Sequence, residues 1–350
     1  MYFPKVIFIV LFCFAVMLGS PAEAGFSFRC HVNGAGLLSA PRAEDDFYLY
    51  VNYDWMRAHP LQRGVDEVSP FSLADDGMTG EAIDNETLNI INGFFDDIKN
   101  VYAQRIMASD MFSEGAKSAA IQKLDALTLR IGLPGEGHNA PDAAKKTGAY
   151  YDYLKNEVLL NPALLVSPFF NPATNSDDRE TNLGSIGVIL AHEISHSFDV
   201  HGGNYDPSGN MVKWYTEDDD NASMERLAVI ADFMSKYSLD DDENVNGCKK
   251  AYESFADMRA LDCLTRIVMR GSPSEEESRE GLRRLFVSYA WTSRQMVSDR
   301  FISEHREALH ALDNVRVNAA LSSNDMFYYV YDVKIGDGMY VRKRERPRVW

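Results

Sequence analysis

The feature that most constrains this 350-residue chain is the apolar run at residues 184–191, which leads directly into the sequence HEISH at residues 192–196. Such a run predicts a buried helix, so the polar residues that follow it are expected deep in the fold. Residues four apart lie on one face of a helix, and His192 and His196 can therefore reach one metal ion together. Glu193 lies beside them, where a carboxylate can accept a proton from metal-bound water.

Glu253 and Asp257 repeat this four-residue spacing further along the chain. Glu253 can supply the third ligand of a His₂Glu zinc site that keeps one coordination position open, which is the catalytic pattern. A ligating imidazole usually donates its second N–H to a carboxylate, and Asp257 is the candidate for that contact with His192. The residues therefore predict one Zn²⁺ per chain, bound by His192, His196 and Glu253.

Two alternatives compete with a catalytic zinc site. The motif can consist of solvated or packed polar side chains of an ordinary helix, because HExxH is short enough to occur by chance. A structural zinc site fits poorly, because such sites normally fill all four positions with protein ligands, usually including Cys. The apolar run before the motif and the carboxylate pair Glu253 and Asp257 favour a catalytic site.

The sequence around the motif resembles the neprilysin and endothelin-converting-enzyme family, the M13 zinc peptidases. The similar segments cover most of the chain from about Asp45 to Trp350. They are residues 45–48, 51–52 and Trp55 near the N-terminus, residues 149–151, 155–158 and 168–170 ahead of the motif, residues 187–199, 203–206, 209–210 and Trp214 around it, and His310, residues 316–318 and residues 349–350 after it.

The resemblance implies an α+β, mostly helical fold: a thermolysin-like (gluzincin) zinc peptidase catalytic domain with a small N-terminal helical extension. It implies a zinc metalloendopeptidase that cuts a peptide or protein substrate by Glu193-assisted attack of zinc-bound water. By resemblance, Asp257 and His310 join Glu193 as catalytic residues, with His310 donating a hydrogen bond to the oxyanion. Arg316 would bind a substrate carbonyl.

The resemblance also indicates how a substrate would bind. Ala149 lies on the expected substrate-binding edge strand, but Gly148 stands where the family has an Asn, which removes one backbone anchor. The pocket for the residue after the cleaved bond is expected to be apolar and to favour cleavage on the amino side of apolar or aromatic residues. Its predicted lining residues are Leu164, Phe169, Val188, Ile189 and Trp291.

Length is the main departure from the family, whose members generally carry a large helical lobe over the active-site cleft. We expect a signal peptide at residues 1–24, an N-terminal segment with a helical remnant of the lobe at 25–135, and the catalytic domain at 136–350. The remnant is predicted to contain helices at residues 90–107 and 116–131. The missing lobe and the missing Asn also suit an alternative: a catalytically degenerate family member that binds a peptide or a partner.

The N-terminus predicts export. Lys5 precedes an apolar run at residues 6–18, and Ala22-Glu23-Ala24 offers a small-x-small cleavage site. We therefore expect a secreted, extracellular protein, with anchoring to a membrane through this segment as the alternative. The mature chain would keep Cys30, Cys248 and Cys263, which indicates one disulfide and one free thiol.

The charge balance excludes one class of partner. A net charge of −17 argues against nucleic acid, because phosphate binding needs clustered Lys and Arg. We expect the acidic runs at residues 217–220 and 240–243 to be solvated loops. The sequence leaves the oligomeric state open.

Overall fold

The computed structural model describes residues 28–30, 32–34, 37–74, 83–133, 148–172, 176–239 and 245–350. Its helices are α1 (Phe47–Ala58), α2 (Pro70–Ala74), α3 (Asn85–Ala108), α4 (Glu114–Asp125), α5 (Ser176–Asn182), α6 (Val188–Ser195), α7 (Glu217–Met234), α8 (Gly247–Gly271), α9 (Glu275–Thr292), α10 (Asp299–His305), α11 (Asp313–Ser322) and α12 (Asp325–Tyr331). Its strands are β1 (Phe28–Cys30), β2 (Glu67–Val68), β3 (Thr128–Ile131), β4 (Ala149–Asp152), β5 (Glu157–Leu160), β6 (Tyr237–Leu239) and β7 (Met296–Val297). The predicted mostly helical α+β fold is confirmed.

The described residues form two compact units that interleave along the chain. The first unit consists of the residues up to Val68 together with Met224–Met258 and Ser293–Val349. The second consists of Ser69–Ser223, Arg259–Thr292 and Trp350. The domain boundary predicted after residue 135 stays a prediction, and the predicted signal peptide lies outside the described residues.

The main sheet of the second unit has the strand order β3-β5-β4. β3 runs parallel to β5, and β4 runs antiparallel to β5. In the turn between β4 and β5, Asn156 adopts a φ of 50° and its side-chain oxygen accepts a hydrogen bond from the Tyr151 hydroxyl at 2.8 Å. Among the described strands, β4 lies at an edge of this sheet, as the sequence predicts for the segment that begins at Ala149.

The helix predicted over residues 116–131 is wrong in its last part. Helix α4 ends at Asp125, and Thr128–Ile131 forms strand β3. Exposure alternates from residue to residue along β3, and its backbone pairs with β5. An apolar residue at every second position fits a strand, and the hydrogen bonds to β5 outweigh the weak helical preference of so short a segment.

The acidic run at residues 217–220 is not a loop as expected but the first turn of α7. Asp219 is buried, and its carboxylate accepts hydrogen bonds from the backbone N–H groups of Ser113 and Thr216. Negative charge is stabilised at a helix N-terminus by the unpaired N–H groups there. The second acidic run, at residues 240–243, lies outside the described residues.

The buried helix predicted for the apolar run and the HEISH motif is confirmed, with a change of geometry along it. A π-helical turn at Leu183–Gly187 precedes α6, and a 3₁₀ turn at His196–Phe198 follows it. A Cβ atom at Gly184 would lie 2.2 Å from the Leu285 carbonyl oxygen of α9, so only glycine permits this close packing. On another side, the buried Tyr102 of α3 donates a hydrogen bond of 2.8 Å to the carbonyl of Ala191, the residue before His192.

In the first unit, α1 is held to α11 by a buried amide. Asn318 of α11 accepts a hydrogen bond from the Tyr48 backbone N–H at 3.0 Å and donates to Asp46 at 2.8 Å. Asp46 also caps α1 by accepting from the Leu49 N–H at 3.1 Å. Because all of these polar groups are buried and paired, they define how α11 and its Arg316 are placed within this unit.

The expected disulfide is not formed by Cys248 or Cys263, which are both free thiols. Both lie on α8, about 22 Å apart along the helix axis, whereas a disulfide needs Cα atoms within about 7 Å. The side chain of Cys30 lies outside the described part of the structure. None of the helices in the described ranges is long and apolar enough to cross a membrane.

We expect the substitution Gly184→Ala to lower the free energy of unfolding by about 1–3 kcal/mol, because the added methyl group overlaps the α9 backbone. Gly93→Ala is the matched control: it also lies in a helix, but no atom lies within 4 Å of its new Cβ. That variant should gain about 0.5–1 kcal/mol through helix propensity. Urea titration of the two variants measures both values. If the two substitutions changed the free energy of unfolding equally, the close packing of Gly184 against α9 would be contradicted.

Candidate active site

The motif histidines of the second unit converge on one point. His192 is buried at the end of α6, and the Nε2 atoms of His192 and His196 lie 3.1 Å apart. Two imidazole nitrogens bound to one tetrahedral zinc at their usual bond lengths lie about 3.3 Å apart. The pair therefore fits a shared metal ion. Glu193, between them in sequence, is partly exposed, as is His196.

The outer nitrogen of His196 has a carboxylate partner that the sequence motifs do not predict. His196 Nδ1 lies 2.8 Å from Asp199 Oδ2. In the neutral tautomer that binds metal through Nε2, Nδ1–H donates to this carboxylate, which orients the ring and makes it a stronger ligand. The signal available in the sequence is an acidic residue one helical turn after the second histidine.

Asp199 is itself held by the loop that follows it. Its Oδ1 atom accepts hydrogen bonds from the backbone N–H groups of His201 at 2.7 Å and Gly202 at 2.8 Å. A Cβ atom at Gly202 would lie 2.0 Å from the His196 carbonyl oxygen, so the loop turns back closely onto the end of the motif helix. This close approach lets one carboxylate contact both the imidazole and the loop.

A buried lysine on another helix binds the loop that follows Asp199. Lys123 of α4 has no exposed surface, and its Nζ atom donates to the carbonyls of Gly202 and Tyr205. Burial lowers its pKa to about 8, while the charges of Asp199 and Asp206 oppose that change. The ammonium thus adds a positive charge near the carboxylate that orients His196.

The remaining predicted polar residues lie in the first unit. Glu253 is buried on α8, and its Oε2 atom lies 2.9 Å from Nε2 of His310, whose side chain is 48% exposed. This contact brings the predicted oxyanion donor and the predicted third ligand together. The histidine pair belongs to the second unit and these residues to the first, and their assembly into one centre stays a prediction.

Asp257 holds Arg316. The Asp257 carboxylate, 2% exposed, accepts two hydrogen bonds from the guanidinium, at 2.9 Å from Nε and 2.8 Å from Nη2. Such a paired contact sets the plane of the guanidinium as well as its position. The predicted contact of Asp257 with His192 joins residues of different units and stays a prediction. The contact with Arg316 gives Asp257 a positioning role that the sequence motifs do not predict.

The predicted substrate-binding residues of the second unit differ in accessibility. Ala149 is the first residue of β4 and is partly exposed. Leu164 and Phe169 have no exposed surface, Val188 is nearly buried, and Ile189 is partly exposed. Trp291 is 38% exposed and lies on the wall of a cavity of about 610 Å³. The cavity wall also contains Pro168, Phe170, Arg283, Arg284 and Val287.

Comparison with known proteins assigns the family. The sequence model of peptidase family M13 matches residues 148–347. The chain is 27% identical over 307 residues to a neutral endopeptidase of Lactobacillus helveticus, covering 76% of this chain and 46% of the relative. It is 28% identical over 210 residues to endothelin-converting enzyme 1 of Cavia porcellus, covering 58% of this chain and 27% of the relative. The chain belongs to peptidase family M13, as its motifs predict.

Solved structures share the fold. The zinc metalloprotease Zmp1 of Mycobacterium tuberculosis matches with a TM-score of 0.66 at 22% identity, covering 75% of this chain and 47% of that one. PepO of Lactobacillus rhamnosis HN001 matches with a TM-score of 0.66 at 21% identity, covering 79% and 49%. The chain spans about half the length of the curated neutral endopeptidases it matches.

We expect Asp199→Asn to weaken zinc binding by about 10- to 100-fold, because the amide is a poorer acceptor for the His196 N–H. Competition with a fluorescent chelator measures the dissociation constant. Asp220→Asn, which removes a surface ion pair with Lys213 in the same unit, is the control and should bind zinc like the wild type. Unchanged zinc affinity in Asp199→Asn would show that this carboxylate does not support the ligand.

The pH dependence of stability tests the surroundings of Arg316. Burial raises the pKa of Asp313 to about 7, and the charge of Arg316 opposes that rise. The folded state therefore binds this proton more tightly than the unfolded state does. The resulting stability is fully present below about pH 4 and is lost as the pH rises toward 7.

We therefore expect Asp313→Asn to raise the free energy of unfolding at pH 8 relative to the wild type and to change it little at pH 4. Urea titrations across this range measure the effect. Asp325→Asn removes the corresponding first-turn carboxylate of α12, which is half-exposed, and serves as the control. Parallel curves for Asp313→Asn and the wild type would contradict the raised pKa.

Proposed function

We propose that this chain is a zinc-dependent metalloendopeptidase that hydrolyses bonds within a peptide or protein substrate. The observation that carries the proposal is the convergence of His192 and His196, 3.1 Å apart at Nε2, in a chain of family M13. We assign the zinc to these two histidines and to Glu253. When bound there, zinc polarises the scissile carbonyl and lowers the pKa of its water.

Glu193 serves as the general base. It follows His192 directly on the motif helix and is partly exposed. A carboxylate in that place can take a proton during attack by water and later deliver it to the leaving amine.

His310 stabilises the negative oxygen that develops on the attacked carbonyl. Its imidazole touches the Glu253 carboxylate, and about half of its side chain is exposed, so it is both close to a proposed ligand and accessible to substrate. A donor aimed at a developing oxyanion typically contributes on the order of a hundredfold in rate.

Arg316 binds a carbonyl of the substrate. A guanidinium has about five N–H donors, so it can hold Asp257 and a substrate oxygen at the same time. The two hydrogen bonds to Asp257 restrict its motion, which reduces the entropy lost when substrate binds.

The substrate lies as an added strand along the edge of β4. Edge strands present unpaired backbone groups that a peptide can use, and Ala149 begins this strand. The accessible apolar residues Ile189 and Trp291 favour an apolar or aromatic side chain after the cleaved bond. Gly148 supplies no side-chain amide, so backbone contacts carry more of the affinity.

We further propose that the protein acts outside the cell. The support is the apolar run at residues 6–18 followed by the small residues around Ala24, which together have the pattern of a cleaved signal peptide. N-terminal sequencing of the protein recovered from the medium of the native host would test the cleavage site.

The function is tested by hydrolysis of a quenched fluorescent peptide library. We expect the zinc-loaded wild type to cut before apolar residues, and Glu193→Gln to be about 10²–10⁴-fold slower, because the amide cannot accept the proton. A chelator should abolish activity and zinc should restore it.

Two controls make the result decisive. Glu225→Gln, a surface substitution on α7, should retain wild-type activity, and metal analysis should show that Glu193→Gln still holds zinc. If folded, zinc-loaded wild type cuts no faster than Glu193→Gln, the chain is not a peptidase, and the degenerate, peptide-binding alternative takes its place.

A further inference from the structure

A second buried lysine lies one helical turn before Glu253. Lys250 of α8 is 3% exposed, and its Nζ atom donates to three backbone carbonyls. These belong to His305 at 2.9 Å, to Ala308, and to His310 at 2.8 Å. An ammonium has three donors, so each can be matched to one of these acceptors.

Burying an ammonium is unfavourable unless its hydrogen bonds are met. Burial, together with the charge of neighbouring Lys249, lowers the pKa of Lys250 to about 8. His305 is the last residue of α10, where carbonyls lack helical partners and carry partial negative charge. The three carbonyls therefore form a site in which a buried ammonium is stabilised.

The segment held in this way carries the proposed oxyanion donor. Residues 306–310 form turns rather than a helix or strand. Lys250 holds the backbone of His310, and Glu253, three residues further along the same helix, contacts its imidazole. Residues three apart lie on one face of a helix, so α8 contacts His310 at both its backbone and its ring.

We propose that Lys250 is a positioning residue that fixes His310 in place for oxyanion stabilisation. This inference rests on the proposed peptidase function. The His310 imidazole stays accessible to substrate, while the His310 backbone carbonyl is hydrogen-bonded to Lys250 on the helix that carries Glu253.

The test is a double-mutant cycle on the full, zinc-loaded chain. Lys250→Met keeps most of the length of the unbranched side chain and removes its donors. We expect kcat to fall about 10- to 100-fold with KM little changed, because a misplaced donor weakens mainly the transition state. In a His310→Ala background, Lys250→Met should cost no further kcat, since the group it positions is gone.

Lys249→Met is the matched control. Lys249 is the preceding residue and forms an exposed ion pair with Glu307 on the same segment, so its loss should leave kcat unchanged. If Lys250→Met lowers kcat by the same factor with and without His310, or does not lower it at all, the positioning role is wrong. Should Lys250→Met fail to fold, Lys250→Gln, which keeps one donor group, replaces it in the same cycle.

Amide hydrogen exchange supplies a readout that does not depend on activity. Peptides covering residues 305–310 should exchange faster in Lys250→Met than in the wild type, and at the wild-type rate in Lys249→Met. If the wild type cuts no peptide, the proposed function fails, and this measurement still decides whether Lys250 orders the segment. Unchanged exchange in Lys250→Met would overturn the inference even in an active peptidase.

Discussion

The second unit depends on one carboxylate. Asp199 accepts a hydrogen bond from His196 with one oxygen and from two loop N–H groups with the other, so the second motif histidine and the loop beyond it have a common anchor. Lys123 closes the loop through two carbonyls, and its own carbonyl accepts a hydrogen bond of 2.9 Å from Asn156 in the turn between β4 and β5. A continuous set of polar contacts, several of them only partly buried, thus connects the histidine pair to the proposed substrate strand.

The first unit uses the same kind of contact. Asp257 sets the guanidinium of Arg316 with two hydrogen bonds, and Lys250 sets the backbone of His310 with three. In each case a nearly buried charge acts on a more exposed group that would meet the substrate. A buried charge is stable only when it has hydrogen-bond or charged partners. Because it needs these partners, it holds a neighbouring residue in one geometry.

Local patterns predicted some elements better than others. The motif helix follows from a mostly apolar run, and the structure contains it with a π-helical turn at its start. Residues 128–131 are too short for their periodicity to distinguish helix from strand, and pairing with β5 decided that they form a strand. For the acidic run that contains Asp219, the sequence predicts a solvated loop, and this prediction is wrong. Composition does not reveal that the Asp219 carboxylate caps a helix and binds Ser113.

The sequence by itself determined the family, the mostly helical fold class and the spacing that puts His192 and His196 on one helical face, since these depend on residues close together in the chain. Only the tertiary structure decided that Asp257 holds Arg316 and that two lysines are buried on backbone carbonyls. A lysine in a sequence is ordinarily expected at the surface. A lysine is buried only where the fold places backbone carbonyls from distant segments around its ammonium group. The local sequence carries no signal for that arrangement.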